Sequence, residues 1–175
     1  PLNISYSAAK SPTKQAGAMA RVFSERGTSI AVAKTIPHCW SLARTVAADM
    51  PVLEATQPEI ELAIRFLKTE ISEHFELVEM LQRGVGVHHA GLSEETRALV
   101  EWLTESGKLR VLCATTKIAQ GINFPVASIF LASRTFPYGR EMSKRAFWNL
   151  AGRAGRVGQD TVGVVGLAGG KDRQA

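Results

Sequence analysis

Much of what would place this chain in a familiar class is missing from it. Cysteine occurs twice in 175 residues, as Cys39 and Cys113, far apart and with no C-x-x-C spacing. That excludes a disulfide framework or a zinc ribbon and fits a reducing compartment, so the expected location is cytoplasmic, or nuclear in a eukaryote. No apolar run approaches the roughly 18 residues of a membrane-spanning helix, and no secretory pattern opens the chain, so no membrane partner is expected. There is no H-E-x-x-H, and no metal ligands are expected. A phosphate-cradling G-x-x-x-x-G-K-[ST] is also absent: Gly166-Leu-Ala-Gly-Gly-Lys171 is one residue short and is followed by Asp172. No D-E-x-D/H segment is there to hold Mg²⁺. Whatever nucleotide this chain touches, it does not cradle and hydrolyse it alone.

What is present reads as an ordinary globular chain, 45% hydrophobic and 21% charged, long enough for one domain with a real core. It begins with Pro1, and the expectation is a piece of a longer protein spanning one domain, 1–175. Within it, 1–28 is an N-terminal helix and domain edge, and 29–167 is the core. The net charge of +5 is uneven. Residues 1–50 carry six Lys/Arg against two acids, 51–105 four against eleven, and 106–175 eleven against three. The basic last third suits a polyanion, either nucleic acid or nucleotide phosphates; a solvated basic face is the plainer alternative.

Two periods alternate along the chain. Ser11-Pro12 predicts a helix start with Ala16, Met19, Ala20 and Phe23 inward, stopped by Gly27. Helices are expected from Pro37 to Pro51, from Gln57 to Gln82 with a break near Ser72, from Ser93 to Gly107, and from Ser143 to about Ala154. Between them, short apolar runs at Ser29–Ala33, Val85–His88, Arg110–Ala114, Ser128–Ala132 and Thr161–Leu167 predict five strands. Continuous apolar strands separated by helices indicate an α/β fold: a parallel sheet flanked by helices on both faces, three layers deep. Ligands of such sheets sit at the carboxyl ends of the strands, which points to the residues after Ala33, Val87, Ala114 and Ala132 and to the last helix.

Three segments carry chemistry. In Asn149-Leu-Ala-Gly-Arg-Ala-Gly-Arg156, helical spacing puts Asn149, Arg153 and Arg156 within roughly 60° of one another. An amide and two planar guanidiniums suit phosphate oxygens. Gly152 and Gly155 open the way for a close approach, although a solvated basic helix end would look similar. Ala114-Thr115-Thr116 through Gly121-Ile-Asn123-Phe-Pro125 leaves a buried strand and passes two hydroxyls, making either a phosphate seat or a plain strand–helix loop with a Thr cap. Gly86-Val-His88-His89-Ala-Gly-Leu92 has adjacent histidines that point opposite ways, poor co-ligands for one metal, with a structural role expected. Arg97 follows on the next helix, within reach of a phosphate or merely solvated.

Together these blocks resemble the second RecA-like motor domain of a superfamily 2 helicase (DEAD/DEAH type), most nearly the Ski-like branch. Ser29–Thr35 is similar to motif IV, Gly86–Leu92 to motif IVa, Ala114–Pro125 to motif V and Asn149–Arg156 to motif VI. The resemblance implies a RecA-like fold and an ATP-dependent helicase. Arg153 and Arg156 would reach the ATP γ-phosphate across a cleft, Arg156 as the arginine finger. Gly121 and Asn123 would border the nucleotide. Thr115, with Thr116 beside it, and Arg97 would contact the nucleic-acid backbone. ATP and Mg²⁺ would be held mainly by a preceding RecA-like domain of the same chain. Asn149 stands where the family has Gln, one methylene shorter. The alternatives are an inert RecA-like module that only binds nucleic acid, and a small-molecule α/β enzyme, for which only His88 and His89 offer acid–base groups.

Overall fold

The computed structural model describes residues 11–53, 57–119, 126–135, 141–155 and 162–169. Seven helices and five strands make up the described elements. In order they are α1 (Pro12–Phe23), β1 (Ser29–Ala33), α2 (Ile36–Ala48), α3 (Pro58–Glu70), α4 (Leu77–Leu81) and β2 (Val85–His88), then α5 (Glu94–Glu105), β3 (Val111–Thr115), α6 (Thr116–Ala119), β4 (Ser128–Leu131), α7 (Lys144–Ala151) and β5 (Val164–Leu167). A 3₁₀ turn, Ser24–Arg26, follows α1.

Local chemistry sets most of these boundaries. Ser11, Ser93 and Ser143 each accept a backbone N–H three residues on, from Lys14, Thr96 and Ala146, and so start α1, α5 and α7. α2 begins one residue before the expected Pro37, because Thr35 caps it by accepting from the His38 N–H and Pro37 fits its first turn. The expected break near Ser72 is real: α3 ends at Glu70 and α4 resumes at Leu77.

All four strand pairings are parallel, in the order β2-β3-β1-β4-β5. β1 is central, with Ile30 opposite Leu112 and Ile129, and Ala31 opposite Cys113 and Phe130. Residues in register share a face. On the Leu112 side, Gly86 and Leu112 pack against Val100 of α5. On the Cys113 side, Cys39 of α2 donates its S–H to the Cys113 carbonyl at 3.3 Å, and Phe23 of α1 meets Phe130 at 5.3 Å between ring centroids. Every residue of β1 to β4 is buried, as sheet covered on both faces requires, while edge strand β5 is half-buried throughout. The α/β layering read from the strand–helix alternation is therefore the observed one. α7 joins β4 to β5 by the same rightward step by which α5 joins β2 to β3, so the right-handed crossover rule sets both on one face.

The two cysteines are free and buried, with burial pushing the Cys39 thiol up to about 12 and the Cys113 thiol well above its ordinary value. They pack as small apolar groups.

Leu42 is fully buried on α2 and packs so closely to Gly17 of α1 that a methyl there would clash with it. Leu42→Ala should cost about 2–5 kcal/mol of stability, as cavity-forming changes in cores do. Urea unfolding followed by far-ultraviolet circular dichroism should show a lower midpoint with unchanged slope.

Candidate functional site

At the carboxyl edge of the sheet, the ends of β1, β2 and β3 lie side by side. Thr115 closes β3 and is only 8% exposed, leaving a sliver of its surface at that edge. Thr116 is fully buried, and its hydroxyl donates to the Ala33 carbonyl at 3.2 Å. That bond ties the ends of β3 and β1 together and gives the Thr116 hydroxyl a partner inside the protein. Both threonines expected to meet a phosphate are buried, and Thr115 is the slightly less buried one.

His88 closes β2 and His89 follows it. His88 Nε2 stands 2.7 Å from Glu101 Oε1 on α5, so the ring donates there. His89 turns the other way, as adjacent strand residues do. Its Nδ1 accepts the Gly91 N–H at 3.0 Å, which leaves the ring proton on Nε2, and the ring meets Trp40 edge-on at 5.5 Å. Both imidazoles are buried. The pKa of His88 is lowered, first by burial and also by Arg97, against the raising effect of Glu101. His89 is lowered by burial and then by its neighbour His88. Among the described residues no group of three or more His, Cys, Asp or Glu could hold a metal ion. The pair is a structural clasp between β2, α5 and the turn after it. Arg97 is half-buried on the first turns of α5.

At the opposite edge lies the arginine end of the last helix. α7 starts where β4 has finished: Met142 donates to the Arg134 carbonyl at 2.7 Å, and Thr135 bridges Glu141. Ten residues later the chain is back at the amino end of β4. There the Val126 N–H donates to the Arg153 carbonyl at 3.1 Å, and the Gly155 N–H donates to the Val126 carbonyl at 2.8 Å. α7 therefore runs the height of the sheet. It also ends earlier than the helical spacing predicts, at Ala151 and not Ala154. Gly152 is the C-cap, the backbone of Arg153 to Gly155 is taken by the bridge to Val126, and Gly155 has φ +87°. Asn149 and Arg153 consequently do not share one helical face by simple periodicity. Asn149 is exposed and, with Ser143, Arg145 and Ala146, lines a shallow depression of about 170 Å³. Arg153 is half-buried. Gly121, Asn123 and Arg156 lie outside the described residues.

Three contributors escape the sequence. Glu101 is thirteen residues from His88 on another element, so no periodicity links them. Val126 is one apolar residue in a loop, and only its backbone acts. Trp148 lies on α7 next to the half-buried Phe147 and is 68% exposed, which helical position alone does not give.

A Cβ on Gly155 would strike the backbone of Gly163 and would sit at a positive φ. Gly155→Ala should destabilise the chain by about 1–3 kcal/mol and loosen the bridge to Val126. Faster amide exchange at Gly155 and Val126 would report it. For the histidines the sign follows from their depressed folded-state pKa values: the unfolded chain binds more protons, so stability is full above the unfolded value near 6.5 and falls as pH drops below it. The urea midpoint should fall between pH 7.5 and about 5.5, and His88→Gln with His89→Gln should flatten that slope.

A family model described as the helicase conserved C-terminal domain matches residues 53–158, more than half of the chain. The chain is 37% identical over 112 residues to the antiviral helicase SKI2 of Saccharomyces cerevisiae, a match covering 61% of this chain and 9% of that protein. It is 32% identical over 132 residues to the helicase POLQ-like protein of Caenorhabditis elegans, covering 72% and 14%. With the ATP-dependent RNA helicase DExH11 of Arabidopsis thaliana it shares 40% over 92 residues, covering 51% and 7%. The chain thus spans a small part of each relative's length. With its all-parallel five-stranded sheet, the chain belongs to the helicase conserved C-terminal domain family of superfamily 2, and Ski2-like helicases are among its relatives.

Proposed function

We propose that this domain is the second motor half of an ATP-dependent nucleic-acid helicase, working with a first RecA-like domain. That first domain supplies the phosphate loop, the Mg²⁺ carboxylates and most of the ATP affinity. The observation that carries this reading is the placement of the two motifs. Motif V leaves the carboxyl edge of the sheet at Thr115, and Val126, the residue that follows the motif, lies at the amino edge, hydrogen-bonded to Arg153 and Gly155 of motif VI. One continuous segment therefore links a nucleic-acid face to a nucleotide face.

In this reading Thr115 touches the nucleic-acid backbone, Thr116 holds its loop, and Arg97 adds a phosphate contact. Gly121 and Asn123 border the nucleotide. Arg153 and Arg156 present planar donors to the γ-phosphate as the cleft closes, Arg156 as the finger, and Asn149 stands toward the attacking water. Catalysis is positioning and electrostatic stabilisation of the dispersing phosphoryl charge. Translocation follows because the strand lies across both halves of a cleft that opens and closes with each turnover.

The chain alone should show no Mg²⁺-dependent ATP turnover. Joined to a first motor domain, Arg156→Lys keeps the charge but loses the fork, and should lower kcat by ~10²-fold, about 2.7 kcal/mol of barrier, with KM nearly unchanged. Steady-state assays of Arg153→Lys, Arg156→Lys and the double variant test it. Wild-type kcat in all three would remove the cleft assignment.

A further inference from the structure

We propose that the first two turns of α7 form a base-stacking contact for single-stranded nucleic acid, with Trp148 as the platform and Lys144 and Arg145 as its phosphate partners. This rests on the nucleic-acid-binding reading above and adds residues that lie outside the helicase motifs. Among the described residues Trp148 is, after Val162, the most exposed large apolar side chain, at 68%. The half-buried Phe147 ring meets its indole edge-to-face, 5.4 Å between centroids. That contact leaves an exposed indole against which a flat ring can stack.

The surroundings select the partner. An apolar docking face would be ringed by apolar side chains. Here Lys144 and Arg145 lie four and three residues before Trp148, on neighbouring positions of the helix surface, and both are exposed. α7 carries no acidic residue. Both cations sit in the first turn, where the helix dipole disfavours positive charge, so the helix itself does not call for them. An exposed aromatic flanked by cations matches what sequence-tolerant single-strand binders use: bases stack on the ring and phosphates pair with the charges. The start of α7 also lies toward the carboxyl edge of the sheet, the edge where Thr115 ends β3, and away from the Arg153 end. A strand is therefore the better-placed occupant than the nucleotide.

The indole N–H signals of the three tryptophans report this directly. The probe is a twelve-nucleotide thymidylate strand, compared with linear polyphosphate of similar charge and with ATP. The Trp148 signal, assigned with Trp148→Phe, should move with thymidylate and stay in place with polyphosphate. Trp148→Ala should weaken thymidylate binding about tenfold, within the range for one stacked base, and leave polyphosphate binding unchanged. Trp148→Phe should restore most of the loss. Lys144→Ala and Arg145→Ala should each weaken both ligands and reduce the salt slope by about one. Unshifted Trp40 and Trp102 signals confirm that each variant is folded.

An immobile Trp148 signal, or wild-type affinity in Trp148→Ala, overturns the proposal. So does a Trp148 signal that answers ATP alone, or one that changes only with protein concentration, which would mark a self-association face. If Thr115→Ala weakens thymidylate binding while Trp148→Ala does not, the inference falls and the helicase reading stands. If the chain binds no thymidylate at all, both fall.

Discussion

The candidate site depends on two backbone hydrogen bonds at Val126. One runs from its N–H to the Arg153 carbonyl and the other from the Gly155 N–H to its carbonyl. They make a single parallel bridge beyond the amino end of β4. Backbone groups this close to the core need partners, and each half of the bridge satisfies the other. Without it, the segment after α7 would have no reason to stop at Ala151 and turn along the sheet. With it, Val126 is held against Arg153–Gly155 of motif VI, and Gly155 and Gly163 are there because no Cβ fits between them.

The parallel sheet sets the other end of the same path. Because every strand points one way, β1, β2 and β3 finish at one edge, and Thr116 locks two of them together through the Ala33 carbonyl. The His88–Glu101 contact and the His89–Gly91 turn fix β2 against α5 at that edge with neutral imidazoles. The proposed motor role calls for this kind of stiffness: a movement at one edge is useful only if the other edge follows it.

How much of this was legible in the sequence varied with the physics involved. Strand β1 and the caps at Ser93 and Ser143 follow from local rules, since short apolar runs and N-cap hydroxyls act over a few residues. The family was legible because Gly86–Leu92 and Asn149–Arg156 are unusual as strings. The end of α7 was not, because a long-range backbone bridge overrode helical periodicity there. Nor was the burial of Thr116, whose partner carbonyl is 83 residues away. The sequence pointed both to the strand carboxyl ends and to the last helix; Thr115 lies at the carboxyl edge and Arg153 at the opposite one, because α7 runs the height of the sheet before its arginine.

The central claim is that one domain serves two ligands from opposite edges of its sheet. The most direct measurement is strand-stimulated ATPase in a protein joining this domain to a first motor domain, comparing Thr115→Ala with Arg153→Lys. The account predicts a split: Thr115→Ala raises the strand concentration needed for half-maximal stimulation and keeps the maximal rate, whereas Arg153→Lys lowers the maximal rate and keeps that concentration. If both variants change the same parameter, the two edges are not separate sites and the account is wrong.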